Sequence, residues 1–360
     1  MNLKIAYFIS PHGFGHAARA AAIMDSLSDL NNNIEFEIFT TVPQWFFTNS
    51  GIKNFKYYDL LTDIGFVQKT PLREDLDGTI AKLDEFIPFD DSIVNNISNK
   101  LYYLDCKLIL SDISPLGIQI AAKANIPSVL IENFTWDWIY SQYNFESKTL
   151  DNHISYLSKI YDTASYRIKT EPVCFEGNSD LFANPVSRNP RTDHLDIRKQ
   201  LKIPADNKIV MITMGGIPSQ YDFIDKLESF NEITFIIPGG SDYLETRNNL
   251  VLIPHKSDFF HPDLINASDV VIGKVGYSTL AEVFSSGVPF GYILRPQFPE
   301  SIALHRFIKE NMNGIEIPEG EFYSGKWLNI INQLLVLPKI ERKEPNGADQ
   351  TADFINKLIQ

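Results

Sequence analysis

Short apolar runs alternate with helical patterns along this chain, and this alternation limits the possible folds more than any other feature. The first half begins with the apolar run Lys4–Ile9, a helical pattern follows, and further strand and helix patterns continue to Glu132. Such alternation predicts a parallel sheet with helices on both faces, the arrangement of an α/β domain. The acidic segment 74–91 ends in the loop-prone FIPFDD, and we expect a solvated connection there.

The same pattern restarts after residue 204. Prolines and charges cluster in the segment 184–204, which is typical of a linker between domains. A length of 360 residues suffices for two domains with separate cores. We therefore predict a doubly wound domain over residues 1–190 and a second over 191–345. The remaining residues, 346–360, form a terminal amphipathic helix pattern that we expect to cross back to the first domain.

The composition argues against several classes of protein. A formal net charge of −13 without a clustered basic stripe argues against nucleic-acid binding. The two cysteines, Cys106 and Cys174, make no disulfide framework and suit a reducing compartment. No apolar run reaches the roughly 18 residues of a transmembrane span. Met1 leads into a strand pattern, which differs from the apolar core of a signal peptide. We expect a cytoplasmic protein.

The segment 10–20, SPHGFGHAARA, connects the first strand pattern to the first helix pattern. Gly13 and Gly15 permit a tight turn and a close approach of the backbone to a ligand. They stand beside His12 and His16, and histidine is the side chain that titrates near neutral pH. The combination predicts the floor of a binding or catalytic site.

His16 is expected at the start of the first helix, where the helix dipole disfavours imidazolium, so that the neutral ring can accept a proton. Asp112 ends another strand pattern at the same edge of the sheet. It either orients the imidazole through its other nitrogen or caps the following helix. His12 and His16 also have the H-x-x-x-H spacing of two metal ligands. Because the glycines between them argue against a helix there, we expect no metal site.

A second glycine turn, GKVG, precedes a helix pattern in the second domain. A strand pattern ends at Ile272, and the helix pattern begins near Ser278. A helix start favours an anion such as phosphate, to which Lys274 adds a positive charge. The hydroxyls of Ser278 and Thr279 bind that phosphate, or Ser278 is only an N-cap beside a solvated lysine. Glu282, one turn further along the same face, either accepts ribose hydroxyls or faces solvent.

The loop MGGIPS, residues 214–219, follows the first strand pattern of the second domain. Gly215, Gly216 and Ser219 offer close backbone approach at the carboxyl edge of the sheet, where doubly wound domains bind ligands. His255 follows another strand pattern at that edge, although a solvated loop histidine explains it equally well.

Taken together, GFGH after the first strand, an aspartate that ends a later strand and GxSTLxEVxxxGVP resemble the GT-B glycosyltransferases. That group includes the plant UDP-dependent glycosyltransferases and the bacterial peptidoglycan N-acetylglucosaminyltransferase. The stretches HGFGHAAR, SVLIENFTWDWIY, DVVIGKVGYSTLAEV and VPFGYILR more specifically resemble the glycosyltransferase-like N-terminal region of plant L-arabinokinases. The resemblance spans nearly the whole chain and implies an α/β GT-B architecture, two Rossmann-like domains that face a central cleft.

The resemblance implies a role for each matched residue. His16 matches the general base that acts on the acceptor hydroxyl, Asp112 matches its paired aspartate, and Glu282 matches a ribose-binding glutamate. Lys274 stands where many plant enzymes have a phosphate-binding histidine. The donor-binding residues expected from the motifs and their position at the sheet edge are Gly15, Gly215, Gly216, Ser219, His255, Lys274, Gly276, Ser278, Thr279, Glu282, Glu300 and Ser301.

Two further stretches are implied to contact the sugars. Glu300 and Ser301 stand where many relatives have an acidic residue or histidine followed by a glutamine that contacts the donor sugar. The segment NFTWDW, residues 133–138, is implied to line the acceptor side, where Trp136 and Trp138 either stack on a sugar face or lie buried. The acceptor-binding residues expected are His12, Phe14, Asn133, Trp136 and Asp137.

The function implied is inverting, metal-independent transfer of a sugar from a nucleotide donor, expected to be UDP-linked, to the hydroxyl of an acceptor that the sequence does not name. No cofactor, nucleic-acid partner or transmembrane segment is expected, and the oligomeric state stays open. Because a fold does not determine one reaction, two alternatives also stay open. These are a nucleotide-sugar hydrolase or epimerase on the same fold, and a non-catalytic module that binds nucleotide sugars.

Overall fold

The computed structural model describes residues 3–70, 72–143, 149–215 and 221–360. The chain divides into two compact units. Unit 1 comprises the residues up to Ser187 together with Pro345–Gln360, and unit 2 comprises Arg188–Glu344.

Strands and helices alternate through the first part of unit 1, as the sequence predicts. Its strands are β1 (Leu3–Ile9), β2 (Ile34–Thr40), β3 (Phe55–Asp59), β4 (Gln68–Thr70), β5 (Arg73–Glu74), β6 (Cys106–Asp112), β7 (Ser128–Glu132), β8 (Tyr166–Thr170) and β9 (Leu181–Ala183). Its helices are α1 (Gly15–Leu30), α2 (Gln44–Asn49), α3 (Leu76–Phe86), α4 (Asp91–Tyr103), α5 (Pro115–Ala124), α6 (Trp136–Ser141) and α7 (Asp151–Tyr161).

Within the described residues, unit 1 contains a seven-stranded parallel sheet in the order β3-β2-β1-β6-β7-β8-β9. The central strands are buried along most of their length because helices cover both faces of such a sheet. The strand order reverses between β1 and β6. The carboxyl ends of these two strands therefore border the crevice in which doubly wound sheets bind ligands.

The expected solvated connection over residues 74–91 is wrong, because most of it forms α3. The carboxylate of Asp75 accepts a hydrogen bond from the N–H of Gly78 and so caps the helix. Thr79 and Leu83, four residues apart, lie buried on one face. One of the acidic residues of this segment is thus the N-cap of a helix. The charge pattern alone does not distinguish such a helix start from a solvated loop.

Unit 2 repeats the alternation. Its strands are β10 (Lys208–Thr213), β11 (Ile233–Ser241), β12 (Glu245–Arg247), β13 (Leu250–Pro254), β14 (Val270–Lys274), β15 (Phe290–Ile293) and β16 (Gly314–Glu316). Its helices are α8 (His194–Gln200), α9 (Ile224–Leu227), α10 (His261–Ala267), α11 (Tyr277–Ser286), α12 (Glu300–Asn311), α13 (Glu319–Ser324) and α14 (Ile331–Leu335), with a 3₁₀ helix at Lys326–Ile330. The last helix, α15 (Gly347–Leu358), belongs to unit 1.

The described strands of unit 2 form a sheet in the order β12-β13-β11-β10-β14-β15-β16, in which only the edge strand β12 is antiparallel to its neighbour. The order reverses between β10 and β14. These strands approach closely, since a Cβ atom at Gly273 would lie 2.1 Å from the carbonyl oxygen of Thr213. The predicted α/β class, with two doubly wound sheets, is confirmed.

The chain passes from unit 1 to unit 2 within the segment 184–204, and residues of this segment are hydrogen-bonded to each unit. Within unit 1, the N–H of Ser187 donates to Oδ1 of Asn346, the N-cap residue of α15. Within unit 2, the N–H groups of Arg191 and Thr192 both donate to Oδ1 of Asp263. Prolines and charges mark the place where the chain passes from one unit to the next, but each part of the segment is anchored to its own unit.

Candidate active site

The structure brings His16 and Asp112 together at the switch point of the unit 1 sheet. Ile9, the last residue of β1, lies beside Asp112, the last residue of β6, in the parallel register. The turn after β1 leads directly into α1, and Nδ1 of His16 lies 2.8 Å from Oδ1 of Asp112. The interpretation of Asp112 as a helix cap is wrong, because Ser114 caps α5.

A buried arginine that the sequence analysis missed completes this cluster. The Nε and Nη2 groups of Arg19 donate to the two carboxylate oxygens of Asp112 at 2.8 and 2.6 Å. Its Nη1 group donates to Asn133 at 2.8 Å and to Thr170 at 3.3 Å. Arg19 lies one turn after His16 on α1, so the signal for it was a charged residue on the helix face that also carries the histidine.

Burial makes the charges of the cluster interdependent. His16 is 7% exposed, Arg19 1% and Asp112 0%. Burial alone would raise the pKa of Asp112, but the charge and hydrogen bonds of Arg19, together with His16, outweigh burial and hold that pKa below its usual value. Asp112 is therefore a carboxylate, which can only accept hydrogen bonds.

This charge state determines the tautomer of the histidine. Because Asp112 accepts, Nδ1 of neutral His16 carries the hydrogen, and the lone pair lies on Nε2. Among the described residues none hydrogen-bonds Nε2. Nη2 of Arg19 also lies near this ring, 3.3 Å from Nδ1. The arrangement is that of a base whose ring is oriented by a buried carboxylate.

The predicted acceptor residues lie around this cluster, but several are occupied by the protein itself. Asn133 is buried and accepts from Arg19. Trp136 is 1% exposed, stacks on Tyr140 and meets the ring of His12 edge-on, which agrees with the buried one of its two predicted alternatives. Phe14 stacks on a neighbouring phenylalanine of α2.

Two further acceptor predictions concern polar side chains. Asp137 lies in the first turn of α6. Burial raises its pKa, and a hydrogen bond from Thr135 lowers it by less. His12 accepts a hydrogen bond on Nδ1 from the N–H of Phe66 at 3.3 Å, so the hydrogen of the neutral ring lies on Nε2. Neither observation tests contact with an acceptor, which stays a prediction.

In unit 2, α11 begins without a side-chain cap. Its N-cap residue is Gly276, so the interpretation of Ser278 as the N-cap is wrong. A Cβ atom at Gly276 would meet nothing within 4 Å, which leaves open space beside the first N–H groups of the helix. Lys274 ends β14, directly before this turn, while Ser278 and Thr279 lie in the first turn of α11.

The loop after β10 reaches the same edge of the unit 2 sheet, because Thr213 of β10 lies beside Gly273 of β14. Gly215 has a φ of +74°, a left-handed conformation that favours glycine. Two of the predicted donor residues, Gly216 and Ser219, lie outside the described residues.

Glu282 is already bound by neighbouring side chains. Nε and Nη2 of Arg188 reach Oε1, both at 2.8 Å, and Nδ1 of His261 lies 3.0 Å from Oε2. Burial alone would raise the pKa of Glu282, but Arg188 and His261 hold it below its usual value. A carboxylate has about four lone-pair positions. The three contacts leave about one position, so accepting two ribose hydroxyls requires Arg188 or His261 to give way.

The remaining donor predictions lie apart from these turns. Glu300 and Ser301 are buried at the start of α12, where Arg295 approaches Glu300 to 3.5 Å. His255 follows β13 and is exposed. Neighbouring atoms still shield part of its ring from solvent, and this partial burial lowers its pKa. Gly15 is the first residue of α1 in unit 1.

Solved structures with the same architecture identify the fold. The structure of Arabidopsis thaliana UGT89C1 complexed with UDP matches with a TM-score of 0.66 at 13% identity, covering 100% of both chains. The structure of Medicago truncatula UGT71G1 complexed with UDP-glucose matches with a TM-score of 0.63 at 12% identity, covering 100% of this chain and 99% of that one. The chain has the GT-B fold. Identities this low show the fold alone.

Comparison of sequences finds a relative and no family model. Arabidopsis thaliana L-arabinokinase is 26% identical over 362 residues, which cover 99% of this chain and 34% of that protein. The chain thus spans about a third of the length of this curated relative. No protein-family model matches the chain. The expected resemblance to GT-B glycosyltransferases and to L-arabinokinase is confirmed.

Two features are absent from the described residues. No helix there is long and apolar enough to cross a membrane. No group of three or more His, Cys, Asp or Glu side chains in those ranges is arranged to hold a metal ion. The cytoplasmic location stays a prediction.

Proposed function

We propose that this protein is an inverting, metal-independent glycosyltransferase that moves a sugar from a UDP-linked donor to an acceptor hydroxyl. The observation that carries the proposal is the His16–Asp112 pair, buried at a sheet edge, with Nε2 of His16 unbonded among the described residues. A general base needs this arrangement of a fixed tautomer and an available lone pair. The GT-B fold, and solved structures of that fold that contain UDP and UDP-glucose, support the same class of donor.

The proposed reaction is a single displacement. Nε2 of His16 takes the proton of the acceptor hydroxyl as its oxygen forms a bond to the anomeric carbon. The bond from that carbon to the diphosphate oxygen breaks with inversion, and UDP leaves with the electron pair. Asp112 holds the ring in the useful tautomer and stabilises imidazolium as it forms, while Arg19 keeps the carboxylate ionised and oriented.

We assign the donor to unit 2 and the acceptor to unit 1. The uncapped start of α11 and the preceding Lys274 would meet the charge that develops on the diphosphate, where electrostatic preorganisation contributes most. Ser278 and Thr279 would donate their hydroxyls to it. Glu282 and His261 would bind the ribose. For Glu282 to accept both ribose hydroxyls, Arg188 would have to release at least one of its hydrogen bonds to this carboxylate.

The test is a panel of nucleotide sugars, incubated with the protein in the presence and absence of hydroxyl acceptors. Release of UDP that depends on an acceptor, together with an anomerically inverted product by NMR, supports the proposal. Release without any acceptor supports hydrolysis, and binding without release supports a non-catalytic module. Release from another nucleotide, or a retained anomeric configuration, contradicts the donor or the mechanism.

A further inference from the structure

A pocket of unit 1 contains the buried carboxyl group of Asp63 among its lining residues. The pocket has a volume of about 400 Å³, at the lower end of the range for small-molecule sites. Its lining includes His12, Gly13, Asp63, Phe66, Gln68 and Lys82. Trp136 contacts the ring of His12 and that of His16, with centroids 5.3 and 6.3 Å away. Trp136 therefore connects a lining residue of the pocket, His12, with the proposed base.

The loop that forms this pocket is held in place by the histidine-glycine segment. Gly65 has a φ of +57°, and a Cβ atom there would lie 2.7 Å from Nδ1 of His12, so only glycine lets the loop pack on this ring. The hydroxyl of Tyr140 donates to the carbonyl oxygen of Gly65 at 2.7 Å. The hydroxyl of Ser10 donates to Oδ1 of Asp63 at 2.9 Å.

Asp63 is left with one unsatisfied oxygen. It is 2% exposed, it makes no ion pair within the described ranges, and Oδ2 has no hydrogen-bond partner there. Burial raises the pKa of Asp63 to about 8; hydrogen bonding by Ser10 and the nearby Trp136 indole lowers it, whereas the charge of Asp112 raises it. The indole N–H makes no aligned hydrogen bond in the described structure. Since Oδ1 accepts from Ser10, the acidic hydrogen belongs on Oδ2, a buried donor without an acceptor.

We propose that Asp63, as a neutral carboxylic acid, donates from Oδ2 to an oxygen of a neutral polyhydroxy compound, a sugar or polyol, bound in this pocket. The buried environment that disfavours the charged form of Asp63 also disfavours an anionic ligand there. An ammonium group has hydrogen-bond donors and no acceptor, so it cannot accept the hydrogen on Oδ2 of the protonated Asp63. The aromatic ring of Phe66 and the amide of Gln68 provide the apolar and polar surfaces that such a ring compound needs. That this compound is the acceptor rests on the proposed function.

The test measures binding of methyl glycosides and myo-inositol by ligand-detected NMR, beside matched sugar phosphates and amino sugars. The charged and titratable groups around Asp63 are His12, Asp112, Tyr140, Tyr161 and Lys82. We expect wild-type protein to bind neutral compounds at pH 6.5 and to weaken about tenfold by pH 9.5, the order expected for one lost hydrogen bond. Asp63→Asn keeps an N–H donor and should bind equally at both values, whereas Asp63→Leu should bind at neither.

The control is Asp59→Asn, which makes the same charge change at an exposed residue of β3 and should keep the wild-type pH dependence. The inference is overturned if no neutral compound binds, if phosphates or amines bind more tightly, or if Asp63→Asn weakens with pH as wild type does. Calorimetry with UDP separates the two proposals. UDP binding without sugar binding overturns this inference alone, while sugar binding without UDP binding overturns the proposed donor and leaves the pocket assignment.

Discussion

Replacing Arg19 by methionine should destabilise unit 1 strongly. Methionine is unbranched and fills much of the same space, but it removes every hydrogen bond that the guanidinium makes to Asp112, Asn133 and Thr170. Asp112 is then a fully buried carboxylate with His16 as its remaining side-chain partner. Removing one member of a buried ion pair costs about 3–5 kcal/mol, because the other charge is left uncompensated. We expect Arg19→Met to lower the free energy of unfolding by about that amount.

The loss should depend on pH in a defined direction. The folded structure lowers the pKa of Asp112, so its contribution to stability is fully present above its unfolded-state value and disappears as the pH falls through the folded-state value. Asp in unfolded chains titrates near pH 3.9. In Arg19→Met, burial without the guanidinium should instead raise the pKa of Asp112 in the folded state, so that the variant takes up a proton as the pH falls. The difference between wild type and Arg19→Met should therefore be largest at high pH and shrink as the pH falls, whereas wild type itself loses the contribution of Asp112 only below about pH 4.

The measurement is urea unfolding followed by tryptophan fluorescence, since Trp45, Trp136 and Trp138 lie in unit 1. Arg73→Met is the matched control, because Arg73 is exposed in the same unit and its replacement should change stability by less than about 0.5 kcal/mol. Arg19→Lys, which keeps the charge but not the planar fork, should lie between the two. A loss for Arg19→Met no larger than that of the control would refute the assignment of Arg19 as the counter-charge of Asp112.

Three further outcomes test the proposed reaction. His16→Ala should lower kcat by roughly 10²–10⁴ while UDP affinity by calorimetry is unchanged, and near-normal turnover would show that His16 is not the base. Glu282→Ala should raise the donor KM and also destabilise unit 2, because Arg188 loses its ion pair with this carboxylate. An unchanged KM in folded protein contradicts the ribose assignment. EDTA should leave activity intact, since Lys274 and the start of α11 are proposed to neutralise the diphosphate, and a loss restored by Mg²⁺ or Mn²⁺ would overturn metal independence.

Sequence reasoning located the pair His16 and Asp112 but not its surroundings. His16 and Asp112 could be paired because both follow strand patterns, and the carboxyl ends of parallel strands share one edge of a sheet. Arg19 was visible only as a charged residue on a helix. Its bonds run to residues 93, 114 and 151 positions away, at the ends of three successive strands. Which strands are neighbours is a property of the sheet, and the local pattern does not encode it.

The same limit explains the outcome for other residues. Glu282 looked like an available carboxylate because Arg188, 94 positions away, reaches it only in the folded unit. Asp63 lies in a stretch of sequence without a motif. Its burial, its raised pKa and its unsatisfied oxygen arise only when its loop packs against Ser10 and His12 in the folded structure. Burial and hydrogen bonding set the charge state of such groups, and both are properties of tertiary structure.

By itself, the sequence determined the α/β class, the two doubly wound sheets and the edge where His16 and Asp112 meet, because hydrophobic periodicity and glycine turns act locally. Only the tertiary structure decided which carboxylates are ionised, which are partnered and which retain an unused hydrogen-bonding atom. Asp112 and Asp63 are the same residue type and both are buried in unit 1. The arginine beside Asp112 keeps it a carboxylate, whereas Asp63, without a counter-charge among the described residues, has a pKa raised to about 8.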